Sequence, residues 1–218
     1  MPGIAPGDGG ALGTLVVREP RQRRTREQWD RVLDAGVSLL EEGGYEAFTI
    51  AALCERAGVA PRALYARADT KDALFLAVYE HGMSRVLASE RVFDDLDRRA
   101  TAFSQRVEQA VRGLVRVFAE NTDFLRAVVL ISGAHPEVRR RGEVYRAAIG
   151  QRFGAFLDPP GGASDQKTQF CFAMVFSAMV VRVAYGPGFG PAGGLEELTE
   201  ELVTMARRYL QPEVAAVG

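Results

Sequence analysis

Five side chains between residues 62 and 71 have the types and spacing for recognising nucleic acid rather than for making or breaking bonds: Arg62, Ala63, Tyr65, Arg67 and Lys71. Arginine presents a planar fork of donors that matches guanine, an alanine methyl can touch the methyl of thymine, and tyrosine, arginine and lysine can hold phosphate oxygens. Arg62 is therefore the expected base reader with Ala63 beside it, while Tyr65, Arg67, Thr49 and Lys71 are expected on phosphates. Groups for catalysis are sparse. His81 and His135 are the only histidines, no HExxH or CxxC pattern occurs, and no glycine-rich loop follows a strand pattern. His135 stands before Pro136 and reads as a capping or solvent residue; the pairs Asp94-Asp95 and Glu196-Glu197 read as solvated helix ends. No catalytic residue, metal site or cofactor is expected.

These side chains need a rigid support, and the sequence from Thr49 to Lys71 supplies one. Thr49 is a good N-cap, and Ile50, Leu53, Cys54 and Ala57 fall on one apolar stripe, which predicts a helix of about two turns. Gly58 follows where positive φ is wanted, and Val59 returns to the apolar side. Ala60 and Pro61 restart the chain, since proline at a first helical position loses only an amide that has no partner anyway. The second helix, Pro61 to about Ala66, turns Leu64 inward and Arg62, Ala63, Tyr65 and Arg67 outward. This spacing also fits a plain helical hairpin. Two further features favour a helix laid into a major groove. Arg18 to Arg31 carries six arginines against Glu19, Glu27 and Asp30, and one of the two lysines, Lys71, opens the next helix, where its ammonium can join backbone amides around a phosphate.

With those residues in place, the span from about Thr25 to Leu76 resembles the DNA-binding domain of TetR/AcrR-type transcriptional regulators. The likeness rests on a long first helix, the Ala57-Gly58-Val59 turn, Leu64-Tyr65 in the recognition helix, and Lys71 with Leu74 opening the fourth helix. Two positions depart from the pattern: Arg67 and Ala68 follow Ala66 where the family usually has His or Tyr and then Phe, and Ala60 stands where Ser is common. The resemblance implies an all-α chain with an N-terminal three-helix helix-turn-helix domain and a larger helical domain for ligand binding and dimerisation. It implies a homodimer held by the last two long helices and a palindromic double-stranded DNA operator. The expected contact set is Arg23, Arg24, Thr49, Ala60, Pro61, Arg62, Ala63, Tyr65, Arg67 and Lys71, with Arg23 and Arg24 reaching an adjacent minor groove.

Composition agrees. A chain of 218 residues with 47% hydrophobic residues can bury a substantial core, and the net charge of -1 hides an uneven distribution. Residues 1–20 read as a disordered Gly- and Pro-rich tail, 21–70 as the DNA-binding domain and 71–218 as the ligand-binding and dimerisation domain. Cys54 and Cys171 read as core residues of a reducing compartment, no secretory signal is seen, and the apolar run Phe170–Val181 stops at Arg182. A cytoplasmic protein without a membrane partner is expected. Beyond Lys71 the chain reads as helices: Lys71 to about Leu87, about Asp97 to Glu120, about Asp123 to Ser132, about Pro136 to Leu157, Asp165 to Tyr185, and Leu195 to Leu210. Breaks fall at Asp158–Gly162 and Gly186–Gly194. Phe103, Val107, Val111, Leu114, Phe118, Phe124, Tyr145, Phe153, Phe172 and Phe176 could line an apolar cavity for a small hydrophobic effector, or could be ordinary core. The effector would shift the helix from Lys71 and so release a repressor from DNA. The alternative is a helical carrier or sensor of a hydrophobic molecule without DNA binding.

Overall fold

The computed structural model describes residues 23–89, 102–157, 165–189 and 193–211. The tail at 1–20, the break at Asp158–Gly162, the pair Asp94-Asp95 and the stretch 97–101 lie outside the described residues. Nine α-helices appear among the described residues, with no strand: α1 Arg23–Ala47, α2 Ile50–Ala57, α3 Pro61–Tyr65, α4 Lys71–Ser89, α5 Phe103–Glu120, α6 Thr122–Ser132, α7 Pro136–Leu157, α8 Asp165–Tyr185 and α9 Leu195–Leu210. A short 3-10 turn, Pro187–Phe189, follows α8.

In α1 the residues Trp29, Val32, Leu33, Val37 and Leu40 recur at helical spacing and are all buried. Its regular geometry ends where Gly43 and Gly44 leave helical φ/ψ. The next turn is fixed by local chemistry. Thr49 Oγ1 accepts the Ala52 amide at 3.1 Å, closing the N-terminus of α2. Gly58 closes the other end at φ 64°, ψ 41°, and the Val59 amide reaches the Cys54 carbonyl at 3.0 Å. Pro61 opens α3, and the buried Leu64 pins that short helix to the core.

Helix α4 is the strut between the two halves. It packs on α1 and α5, while α1 also packs on α6. The contacts are close: a Cβ on Gly36 of α1 would stand 2.5 Å from Val78 Cγ2, and one on Gly82 of α4 would enter the Phe124 ring of α6. Beyond it, α8 packs on α5, α6, α7 and α9, and α9 lies along α5. Arg112 of α5 bridges Glu200 of α9 at 2.5 Å, and Arg207 of α9 pairs with Glu108 of α5. Exposed pairs of this kind add little stability, and these two packed helices also bury Val107, Leu114, Leu202 and Ala206.

By length and composition the segment Gln166–Tyr185 is apolar enough to cross a membrane, a property shared by buried core helices. Here Cys171, Phe172, Val175, Met179 and Val183 are buried against neighbouring helices, whereas Phe170 and Met174 face outward. Phe170 meets Tyr209 of α9 with ring centroids 5.6 Å apart, so α8 and α9 share an exposed apolar face that continues to Met205.

Candidate functional site

The exposed face of the helix-turn-helix gathers most of the expected contact residues. Ala60, Pro61 and Arg62 are exposed, Tyr65 is 49% exposed, and Ala63 is half-buried. Arg23 and Arg24 open α1, but their side chains lie outside the described residues. Two basic groups lie against aromatic rings. Arg67 does not project outward but lies half-buried with its guanidinium 5.7 Å from the Trp29 ring. Ala68, the next residue, is buried at 2% exposure. The Lys71 ammonium rests 4.7 Å over the Tyr45 ring, a cation–π contact that limits its freedom. Sequence reasoning found both cations and missed both platforms, since the partners come from α1, more than twenty residues away. It also missed Thr70, whose Oγ1 caps α4 by accepting the Ala73 amide at 3.0 Å. A Thr ahead of an apolar repeat was the available signal.

Beneath the head the aromatic rings are continuous. Phe75 of α4 meets Tyr45 at 4.9 Å, Phe48 at 5.7 Å and His135 at 5.4 Å between ring centres. His135 Nδ1 faces the Val138 amide at 3.4 Å, in keeping with a capping position at the start of α7. On the far side of α2, Arg56 forks onto Glu42 at 2.5 and 2.7 Å, and this lowers the Glu42 carboxyl below its ordinary range.

A cavity of about 230 Å³ lies in the second half, walled by α4, α5, α6, α7 and α8. Phe118, Tyr145 and Phe176 of the expected set line it, joined by Tyr79, Met83 and Val86 of α4 and by Leu125, Val128, Val138 and Ile149. The other expected residues stand elsewhere. Val107, Val111 and Leu114 are fully buried core, Phe103 lies under the Arg106 guanidinium, and Phe124 fills the space beside Gly82. Phe153 pairs with Phe172, which borders a separate cleft between α7 and α8. The α4 residues were missed because that helix is buried on nearly every side, so its periodicity gives no direction.

One polar cluster backs the cavity wall. The Tyr145 hydroxyl donates to Glu80 at 2.7 Å, Arg141 pairs with the same carboxylate, and Glu137 accepts from Arg140 and Arg141 at 2.7 Å each. Those two arginines hold the Glu137 carboxyl down to about 2. Burial pushes the Cys171 thiol up to about 11, which leaves it an inert core group at neutral pH. No group of three or more potential metal ligands occurs among the described residues.

Known proteins share this arrangement. Residues 32–78 match the family model for bacterial regulatory proteins of the tetR family. An HTH-type transcriptional regulator of Mycobacterium tuberculosis H37Rv is 27% identical over 166 residues, covering 76% of this chain and 75% of that protein. Among solved structures, a TetR transcription regulator from Haloarcula marismortui superposes with a TM-score of 0.64 at 18% identity, over 84% of this chain and 96% of its own. A TetR-like transcriptional regulator from Rhodococcus sp. RHA1 gives 0.62 at 17% identity, over 88% and 98%. At such identities the structures speak for the fold alone, while the sequence match falls on the head itself. Together these matches support a TetR-type, DNA-binding transcriptional regulator, with the family's signature on residues 32–78 and its fold over most of the chain.

Proposed function

We propose that this protein is a homodimeric repressor that binds a palindromic operator through α3 and is released by a small, largely hydrophobic effector. The observation that carries the reading is the position of α4. This helix begins at Lys71 beside the recognition helix, and eight residues on, about 12 Å along its axis, its Tyr79 forms part of the cavity wall. A guest that prefers one position of α4 alters the head by its differential affinity for two states, which is all that allostery requires. The head spans 21–70 and the effector and dimer portion 71–218. The exposed Phe170, Met174, Met205 and Tyr209 supply an apolar face whose fitting cover is a second copy of α8 and α9. A twofold dimer then sets two α3 helices about 34–36 Å apart, one turn of DNA. The reading places the protein in the cytoplasm, without a membrane partner, a cofactor or an enzymatic activity.

The test is a mobility shift on the DNA upstream of the protein's own coding sequence, with selection from a random pool to define the site. Arg62→Ala relaxes base preference at one position per half-site by about 1–3 kcal/mol, whereas Lys71→Ala weakens all sequences alike and lowers the salt slope by about one. Cavity binding with no DNA shift under any condition would instead support a carrier that has lost its operator. Sedimentation of the free protein as a monomer at micromolar concentration counts against the dimer.

A further inference from the structure

Within the cavity wall, one group is out of balance. Of the buried side-chain polar atoms among the described residues, two lack a hydrogen-bond partner, Tyr79 Oη and Gln109 Oε1, and only Tyr79 belongs to the cavity lining. Tyr79 is fully buried on α4. A buried hydroxyl left without a partner costs about 1–3 kcal/mol, so an unpaired one beside a hollow is a handle for whatever fills it. The neighbouring polar groups are already engaged: the Tyr145 hydroxyl donates to Glu80, and Ser132 Oγ donates to the Val129 carbonyl at 2.6 Å.

Building on the effector reading above, we infer that the cavity takes an uncharged, compact apolar molecule carrying one hydrogen-bond acceptor, such as a ketone, ester or amide carbonyl, which receives the Tyr79 hydroxyl. Three observations set this class. The remaining inner wall is apolar, built from Val86, Val117, Phe118, Val128 and Ile149, and its charged members, Arg139, Glu143 and Arg146, are all exposed. A carboxylate buried there with a single donor would pay several kcal/mol of desolvation, whereas a neutral carbonyl needs only that one donor. Burial and the carboxylate of Glu80 push the Tyr79 hydroxyl well above the ordinary tyrosine range, so it keeps its proton and donates at any physiological pH. Size follows from the volume: a cavity of about 150 Å³ holds benzene, so about 230 Å³ suits a guest of roughly nine or ten non-hydrogen atoms.

Three probes of that size separate the possibilities: acetophenone, its isostere α-methylstyrene without the acceptor, and the benzoate anion. Dissociation constants are measured by ligand-observed NMR on the full chain and on Tyr79→Phe, each corrected for the probe's own partition from water into hydrocarbon. Acetophenone is expected to bind about tenfold more tightly than α-methylstyrene, the worth of one hydrogen bond, and the gap closes to about onefold in Tyr79→Phe. Benzoate is expected to bind more weakly than acetophenone. The melting temperature of unliganded Tyr79→Phe is expected to equal or exceed that of the parent, because the hydroxyl has no partner to lose. Equal binding of the two isosteres overturns the acceptor while leaving the cavity in place, and benzoate binding as tightly as acetophenone overturns the neutral class. A lower melting temperature in Tyr79→Phe means the hydroxyl is satisfied within the protein, and removes the handle. If neither neutral probe binds, the effector cavity itself falls and this inference with it.

Discussion

Phe75 and Phe176 are both aromatic residues at a meeting of helices, yet they serve opposite kinds of packing. Phe75 is 1% exposed and wedged among Tyr45, Phe48 and His135, so every side of its ring has a partner. Phe176 touches Phe118 and Phe172 at 5.2 and 5.5 Å but is only half-buried and turns another side to the cavity. The junction beneath the head, where Phe75 sits, is close-packed. The body is built around a hollow and leaves room for a guest. A DNA reader gains from the first property, because side chains aimed at base edges must not wander, and the effector domain proposed above needs the second.

The largest effect that tests this contrast is a deletion of each ring. Phe75→Ala is expected to cost about 3–5 kcal/mol in chemical denaturation, since a close-packed site cannot collapse onto the void, and operator binding falls with it. Phe176→Ala is expected to cost less and to leave DNA binding nearly intact, because it enlarges a space that already exists. Equal losses would mean that the two halves are packed alike. Adding volume gives the complementary measurement. Val37 is fully buried in α1, so Val37→Leu overpacks the head and costs about 1–3 kcal/mol, whereas Val129→Leu grows into the cavity at little cost. That same Val129→Leu change should weaken acetophenone binding, which ties the stability readout to the site.

The contrast also explains what could be read in advance. Thr49, Gly58, Pro61 and Leu64 announce the head because caps, turns and the inward residue of a short helix are set by neighbours within four positions. The boundaries of α7, α8 and α9 were legible for the same reason. What was not legible is contact between distant segments. Trp29 under Arg67, Tyr45 under Lys71 and Gly82 against Phe124 depend on how α1, the turn after α3, α4 and α6 approach one another. The cavity suffers most, because a bulky residue looks identical in sequence whether its far side meets another ring or nothing. Phe153 and Phe176 illustrate this: both are core-type aromatics in long helices, and only the second borders the hollow.

Local legibility can itself be measured at the turn. Gly58 holds φ +64°, where a Cβ meets no neighbour but the backbone of an L residue is strained. Gly58→Ala should therefore cost about 1–2 kcal/mol from conformation alone, with no cavity and no clash to add. A loss of that size in thermal unfolding, unaffected by acetophenone, shows that the head is specified independently of the body.

The smallest effect separates the two regions by acid. Each has an Arg–Glu clamp that lowers a carboxyl, Glu42 with Arg56 in the head and Glu137 with Arg140 and Arg141 in the body. A carboxyl lowered by folding stabilises the protein above its unfolded value near 4.5, and that contribution is lost as pH falls through the folded value, here about 2 for Glu137. Between about pH 4.5 and 2 the stability curve should slope downward, and Glu137→Gln should remove more of that slope than Glu42→Gln. Two arginines grip Glu137, one of them tied also to Glu80 of α4, whereas the Glu42 side chain is 62% exposed and held by one. Because Glu80 in turn receives the Tyr145 hydroxyl, loosening Glu137 at low pH also loosens a wall of the cavity. Acetophenone binding should weaken over the same pH interval in the parent chain and lose that dependence in Glu137→Gln, a readout that a purely structural surface clamp would not move.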